Sequence, residues 1–462
     1  MTDDTPFALS YDAGTVLVGG GPRGFDFATL PGVRFDPRTS TYRAQGRHYR
    51  GLVEHLVREK LPFADAARAW PKEPQGWKLV TDRVPFPHQA EALAAWWKAG
   101  ARGVVVLPTG TGKSFMAALA VEKASRPTLI VVPTIVLMTQ WCLDLQRMLG
   151  IPIGQVGGGD YDFQPITVTT YNSAFIHLER YAHKFGLIVF DEAHHLPGST
   201  FQEAAIGSLA PFRLGLTATP ERADGGEALL PDLIGPIVYR REIQELSGDY
   251  LAGYTAHREY IDLTAEEAEK YQECRDHYRG WIADHGIDLR QPNGWQRFIF
   301  EASRSPDGWE ALRAHKEQKR IERQAEGKFK KLEELFGRHV GERTIVFTAD
   351  NATVYEIARR YLVPAITNQT KAKERKHILE KFHSGEYTVL VACQVLNEGV
   401  DVPAASVGIV LSGSSSVKEN VQRLGRILRK YGDKQANLYE VIARGTSEEG
   451  SSDRRRQHGA FQ

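Results

Sequence analysis

Two stretches carry residues whose types and spacing can do chemistry. One is Asp191-Glu192-Ala193-His194-His195; the other is Thr109-Gly110-Thr111-Gly112-Lys113-Ser114. Two carboxylates beside two histidines admit a metal-binding cluster or the water-activating end of a nucleotide site. A zinc-type site wants its ligands spaced as in H-E-x-x-H on a helix, and D-E-x-H-H does not supply that. The glycine-rich stretch favours the nucleotide. Its glycines let consecutive backbone N–H groups curl toward phosphates, and a following helix adds a favourable dipole. Lys113 then suits the β- and γ-phosphates and the Ser114 hydroxyl suits Mg2+; the match to G-x-x-x-x-G-K-[ST] fails only at its first glycine. Asp191 becomes the Mg2+ anchor, and Glu192 the base that orients the attacking water.

These roles need elements to hold them. "GVVVLP" before the glycine loop and "GLIVF" before Asp191 read as buried strands, and "FMAALAVEKA" after Ser114 as a helix. With "TLIVVP", "ITVTTY" and "RLGLTAT" they form near-continuous β-branched runs alternating with helices, the pattern of a parallel sheet covered on both faces. Ligands in such sheets sit outside the carboxyl ends of the strands, where both stretches fall. "LTATP" puts Thr217 and Thr219 at the same edge, and Gln89 in "FPHQAEAL" lies upstream, where it could read an adenine edge. His194 becomes a relay between γ-phosphate and the rest of the motor; His195 has no assigned part.

The second half repeats the plan. After a charged, aromatic, helical stretch over about 256–335, in which no comparable strand is expected, come "RTIVFTA", "YTVLVAC", "SVGIVLS" and "ANLYEVI". Then "QRLGRILRK" sets Arg423, Arg426 and Arg429 on one predicted helix, with Arg426 and Arg429 sharing a face. Guanidinium groups supplied from a second domain are the arrangement of an arginine finger, worth on the order of 10³–10⁵ in turnover. The N-terminal 80 residues read as a small α+β domain with one amphipathic helix, "YRGLVEHLVREK", and "WPKEPQGW" (Trp70 to Trp77) as a linker. The tail "SSDRRRQHGAFQ" reads as polar and frayed.

Composition bounds the rest. With 42% hydrophobic and 25% charged residues the chain is of the globular class, and 462 residues ask for several domains. Neither a signal peptide nor a membrane span is read, which suggests a cytoplasmic protein. Cys142, Cys274 and Cys393 lie far apart, which speaks for a reducing compartment and against a disulfide framework or a cysteine metal site. A net charge of +1 predicts no strong global attraction to nucleic acid, so any polynucleotide must be held by a local track.

Together these stretches resemble the helicases and translocases of superfamily two. "PTGTGKS" is similar to motif I, "DEAHH" to motif II, "TAT" to motif III, "VLNEGVDVP" to motif V and "QRLGRILR" to motif VI. "FRLGLTATPERADGG", "AITNQTKAKERKHILEKFHSGEY" and "VIARGTSEEGSSDRRRQ" narrow the likeness to XPB-like DNA helicases of the short archaeal and bacterial type. The resemblance implies an α/β fold with two RecA-like parallel-sheet domains, a small N-terminal α+β domain and a helical thumb-like insertion. The expected boundaries are 1–80 for a damage-recognition-like domain, 81–255 and 336–447 for the two motor domains, 256–335 for the thumb-like segment and 448–462 for the tail. It further implies ATP and Mg2+ as cofactors, with Gly399, Asp401, Gln422, Arg426 and Arg429 completing the site from the second domain. A monomeric, nucleoid-associated motor with 3′-to-5′ polarity on single-stranded or forked DNA follows, in nucleotide-excision-type repair or duplex opening, with a nuclease as possible companion.

Two departures stand out. The family's Arg-Glu-Asp strand-separation element is represented by Arg222-Ala223-Asp224, and its arginine ahead of the adenine-reading glutamine by Phe86. DNA is expected on the loops after strands, at Pro133, Thr134, Thr169, Thr170 and Tyr171, and at Thr348 and Gln394. Trp141 reads as core, and "HKEQKRIERQ" as a solvated helix face. An RNA helicase, a restriction-complex motor and an ATP-switched DNA-binding or remodelling protein with weak or no unwinding remain as alternatives.

Overall fold

The computed structural model describes residues 5–393, 405–413 and 435–455, apart from positions 223, 249 and 292. They form two compact units, residues 1–242 and 243–462.

The first unit begins with a five-stranded sheet of order β3-β4-β2-β1-β5, made of β1 (Phe7–Asp12), β2 (Thr15–Gly20), β3 (Val33–Asp36), β4 (Thr41–Gln45) and β5 (Phe63–Ala66). Alternation decides its faces. Phe7 and Leu9 on β1 and Val16 and Val18 on β2 point inward and meet Leu52 and Leu56 of the helix Tyr49–Arg58. Trp70 is buried in this core, edge-on to Tyr49, so the residue read as the start of a linker closes the small domain instead. Leu209 enters the same cluster from beyond the glycine loop, and Tyr11 Oη donates to the Glu179 carbonyl at 2.5 Å.

The second sheet has the order β13-β6-β12-β11-β7-β10-β8-β9. It comprises β6 (Arg102–Val106), β7 (Thr128–Val132), β8 (Gly154–Gly157), β9 (Asp160–Asp162), β10 (Ile166–Thr170), β11 (Leu187–Asp191), β12 (Phe212–Thr217) and β13 (Ile237–Arg240). All pairings are parallel except the β8–β9 hairpin. β7, β10 and β11 are buried along their whole length, which is why the text of these strands is dominated by β-branched and apolar residues. Within the hairpin, Gly157, Gly158 and Gly159 all have positive φ.

The core of this unit holds a buried guanidinium. Arg213 on β12 is 1% exposed and donates to the carbonyls of Ala205 (2.9 Å), Ser208 (2.7 Å), Ala210 (3.2 Å) and Leu233 (2.6 Å). Burial, then Arg102 and Arg47, press its guanidinium toward giving up the proton; four carbonyls that need donors hold it.

The second unit carries the sheet β14-β19-β18-β15-β17-β16, parallel throughout its described pairings. Its strands are β14 (Gly253–Ile261), β15 (Thr344–Phe347), β16 (Ala365–Ile366), β17 (Val389–Ala392), β18 (Val407–Val410) and β19 (Gln435–Ala443). β14 corrects the expectation that no comparable strand enters the segment of about 256–335. It pairs with β19 over nine residues, Gly253 with Gln435 through Ile261 with Ala443. As an edge strand it is only half-buried and polar, "GYTAHREYI", so it lacks the continuous apolar run of its neighbours.

Four helices follow β14: Ala265–Asp284, Gly294–Ala302, Pro306–Gln324 and Glu326–Arg338. Thr264 caps the first, accepting from Glu267 N while Glu267 returns a carboxylate to Thr264 N. The first three enclose their own core around Trp281, Phe298 and Ala311, whereas Phe329, Leu332 and Leu335 of the fourth pack on the sheet. The Pro306–Gln324 helix is not simply a solvated face. Gln318 and Glu322 are buried, Gln318 donating to Tyr271 Oη at 2.7 Å and Glu322 accepting from Lys319 and Ser447.

The tail is ordered further than its composition suggests. Ser447–Arg455 is helical, and Glu448 is buried against Lys328, whose Nζ also reaches the Leu411 carbonyl at 2.6 Å. Burial raises the Glu448 carboxyl above its ordinary range, while Lys328 works against that. Lys328→Met therefore strands a buried carboxylate and is expected to cost roughly 3–5 kcal/mol. Urea unfolding of the full chain checks this. A midpoint unchanged from wild type would mean that the pair contributes nothing net.

Candidate active site

β6 leads into the loop Leu107–Gly112, and the helix Lys113–Ala124 leaves it. Gly110 and Gly112 take φ of 89° and 81°, a region that side-chain-bearing residues avoid. A Cβ on Gly112 would sit 2.5 Å from Gln89 Nε2, so the loop and the upstream helix are fitted to one another. Gln89 donates to the carbonyls of Thr111 (2.9 Å) and Gly112 (3.4 Å) and accepts from Phe86 N at 3.0 Å. Its amide thus braces the phosphate loop; adenine reading would require part of that bracing to be released. Phe86 stacks on His88, with ring centroids 5.7 Å apart. Thr111 Oγ1 closes the turn onto the Pro108 carbonyl at 2.7 Å.

Across the sheet edge, β11 delivers Asp191 and Glu192. Glu192 is left-handed, with φ 47° and ψ 53°, a conformation costing a non-glycine residue on the order of 1 kcal/mol. The turn sets its carboxylate 3.8 Å from Lys113 Nζ and 3.5 Å from His194 Nδ1. Asp191 is more enclosed. Oδ2 accepts from Trp141 Nε1 at 2.9 Å, Oδ1 accepts from Glu192 N at 3.0 Å, and the Asp191 carbonyl accepts from Tyr171 Oη at 2.9 Å. Burial first, then the Glu192 charge, raises its carboxyl above the usual range; Lys113 and the Trp141 bond oppose the shift.

His194 faces the end of β12. Its Nδ1 lies 2.9 Å from Thr217 Oγ1, and that hydroxyl in turn accepts from Thr219 N at 3.2 Å. Glu192, His194 and Thr217 thus form one chain from the base to the end of β12. Arg222 joins it from outside, donating to the His194 carbonyl at 2.5 Å and gripping Asp224 with both arms at 2.8 and 2.6 Å. That grip holds the Asp224 carboxyl well below its ordinary range. Arg222 and Asp224 are thus folded back on one another; Ala223 between them lies outside the described residues.

The fit to a nucleotide with Mg2+ is good. Thr109 Oγ1 and Thr219 Oγ1 are buried at this edge without a hydrogen-bond partner, two polar atoms awaiting one. Ser114 stands half-buried in the first turn of its helix, and Mg2+ commonly takes one or two carboxylates plus substrate phosphates.

The residues expected on the DNA track need correction. Tyr171 is 1% exposed and spends its hydroxyl on Asp191, so its side chain cannot meet a strand. Thr169 and Thr348 are fully buried and donate to the carbonyls of Val156 (2.8 Å) and Asp350 (3.1 Å). Thr134 and Thr170 are helix N-caps, accepting from Leu137 N and Ser173 N at 3.2 Å each. Pro133 is half-buried; beside it Ile135 and Val136 are exposed. Gln394, Gly399, Asp401, Gln422, Arg423, Arg426 and Arg429 lie outside the described residues.

Trp141 is buried as its core reading expects; what sequence reasoning missed is its bond to Asp191. Trp141 packs inward on the helix Ile135–Leu149, beside Met138 and Leu145. A buried indole N–H needs an acceptor, and the strand next to β7 ends in a carboxylate; that was the signal available.

A phosphate loop, an Asp-Glu pair at the next-but-one strand edge and a histidine–threonine chain define the nucleotide-hydrolysing core of a helicase-type motor. Comparison with known proteins agrees. Residues 83–222 match the family model of the type III restriction enzyme res subunit, and 327–431 that of the helicase conserved C-terminal domain. Residues 9–67 match the xeroderma pigmentosum group B helicase damage recognition domain. Over 440 residues the chain is 39% identical to a DNA 3′-5′ translocase XPB2 of Sulfurisphaera tokodaii, covering 93% of this chain and 97% of the relative. A DNA 3′-5′ helicase XPB of Kineococcus radiotolerans is 32% identical over 449 residues, 91% of this chain and 71% of the relative. The crystal structure of the Hef helicase domain from Pyrococcus furiosus is similar in fold, with a TM-score of 0.54 at 21% identity over 80% of this chain and 98% of that one. The chain belongs to the XPB family of superfamily two helicases.

Proposed function

We propose that this chain is an ATP-hydrolysing 3′-to-5′ motor on DNA that acts in DNA repair, with Mg2+ as its metal. The observation that carries the proposal is the left-handed Glu192, held between Lys113 and His194 beside a buried Asp191. Kinship with proteins named DNA 3′-5′ translocase and helicase supplies the polarity and the polymer.

Lys113 and the loop amides bind and orient the triphosphate, while Asp191 and Ser114 would hold the metal. Bound Mg2+ would neutralise charge on the phosphates. Glu192 orients the attacking water and takes up its proton. His194 passes the change at Glu192 to Thr217, and so to the end of β12 and the Arg222 element. A monomeric motor associated with the nucleoid, a nuclease companion and arginines Arg426 and Arg429 acting with Gln422, Gly399 and Asp401 on the nucleotide complete the proposal. Among the described residues no helix is long and apolar enough to cross a membrane.

The DNA path is proposed to follow the carboxyl ends of the strands, on backbone amides of loops 133–134 and 169–171 rather than on their buried side chains. In the second unit, Trp295, Ile299, Trp309, Lys316 and Arg323 line a cavity of about 710 Å3 that reaches Asp350, the N-cap of the helix Asn351–Tyr361 that follows β15. Aromatic faces with cationic neighbours suit an unstacked strand.

Translocation with weak unwinding is the second reading, favoured by one observation: Arg222 and Asp224 neutralise each other and no glutamate stands between them. Streptavidin displacement from single-stranded DNA, run beside strand displacement on forked DNA, separates the two readings. Translocation without strand displacement would select the second. ATPase stimulation by RNA equal to that by DNA would overturn the choice of DNA.

A further inference from the structure

The helices Ile135–Leu149 and Tyr171–His177 start at the ends of β7 and β10, on the two loops proposed above to hold the strand. Each sends one aromatic donor to the same residue. From the first helix, two turns in, Trp141 Nε1 donates to Asp191 Oδ2 at 2.9 Å; from the second, at its first position, Tyr171 Oη donates to the Asp191 carbonyl at 2.9 Å. Both side chains are almost fully buried, so neither bond competes with water.

A buried indole must find an acceptor somewhere, and Trp96 shows the ordinary solution: its Nε1 donates to the backbone carbonyl of Arg213 at 2.9 Å. Trp141 instead takes an oxygen of the carboxylate that is to hold the metal. With the Glu192 amide on Oδ1, both carboxylate oxygens have a fixed donor and the rotation of the group is set. Tyr171 sets the height of the backbone that carries it. A shift of either helix at its loop end therefore reaches Asp191 through one rigid aromatic lever each.

We propose that Trp141 and Tyr171 are positioning residues that hold Asp191 in register for the metal–nucleotide complex and pass occupancy of loops 133–134 and 169–171 to it. The second half of this statement rests on the reading of those loops as the DNA track. Outer partners of a metal-holding group commonly change metal affinity by about 10–100-fold when removed. Loss of a bond to the carboxylate should count for more than loss of a bond to the carbonyl.

The test uses the full chain with Trp141→Phe and Tyr171→Phe. Leu145→Ala serves as a control, since Leu145 is buried one turn further along the same helix and is not bonded to Asp191. Three quantities are read: the Mg2+ concentration for half-maximal binding of a fluorescent ATP analogue without DNA, ATP turnover with and without a single-stranded oligonucleotide, and the melting midpoint. Trp141→Phe is expected to raise the Mg2+ requirement about tenfold and Tyr171→Phe a few-fold, with both lowering the stimulation by DNA more than the basal rate. Leu145→Ala is expected to lower the melting midpoint and leave the Mg2+ requirement alone. Wild-type Mg2+ dependence in both aromatic variants, or an equal shift in Leu145→Ala, overturns the positioning role. Should Trp141→Phe fail to fold, Tyr171→Phe alone decides by the same reading. Absence of any DNA stimulation in the wild type sinks the DNA-motor reading instead, and leaves the Mg2+ comparison to judge the two levers.

Discussion

Glu192→Gln is expected to bind ATP as the wild type does and to lose at least about 10²-fold of DNA-stimulated turnover, the low end of what a positioned general base supplies. The amide keeps the size of the side chain and can still meet His194, so the left-handed turn at the end of β11 survives. What disappears is the negative charge opposite Lys113, and with it the capacity to take a proton. Loss of that charge also relieves Asp191, whose carboxyl is raised in part by Glu192. Binding of metal and nucleotide should consequently be kept or slightly strengthened. Single-turnover hydrolysis beside equilibrium binding of a fluorescent ATP analogue separates the two effects. Turnover within about threefold of wild type would falsify the assignment of Glu192 as the base, and with it the proposed site.

Arg213→Met is expected to lower the stability of the first unit by roughly 3–5 kcal/mol, comparable to removing one partner of a buried ion pair. The guanidinium satisfies four carbonyls from the segment 205–210 and from Leu233, so it ties the chain on either side of β12 to the strand itself. Each carbonyl left unpaired costs about 1–3 kcal/mol, offset in part because burying the cation no longer has to be tolerated. Lysine has three donors and can serve some of the four acceptors, so Arg213→Lys should fall between wild type and methionine. Urea unfolding followed by circular dichroism orders the three proteins. Methionine within about 0.5 kcal/mol of wild type would mean that water replaces the guanidinium without loss. The consequence for function lies close by, since β12 ends at Thr217, the partner of His194 in the relay.

The sheet strands nearest the chemistry were legible because buried parallel strands need text rich in apolar and β-branched residues: β6, β7, β10, β11 and β12 all stand where that text is. β14 escaped because an edge strand has a solvated side, and its alternation of tyrosine, arginine and glutamate does not distinguish it from a helix face. The ordering of Ser447–Arg455 escaped for a related reason, since its one buried carboxylate is compensated by a lysine 120 positions away. Local composition cannot register such a partner.

The site divides along the same line. Glycines at 110 and 112, the lysine and hydroxyl that follow, and the acidic pair after an apolar run are local demands of phosphate and metal chemistry, and the amino-acid order alone determined them. The sequence also determined the family, through motifs whose spacing that chemistry fixes. Tertiary structure decided what side chains do once neighbours arrive. Gln89 became a brace for the phosphate loop, and Arg222 and Asp224 closed on each other. The threonines expected on DNA became helix caps and buried donors, because hydroxyls at strand ends meet backbone groups before they meet solvent. Trp141 passed from core residue to donor on Asp191 for the same physical reason: a buried polar atom takes the acceptor that packing brings within reach, and that acceptor lies 50 residues away in the chain.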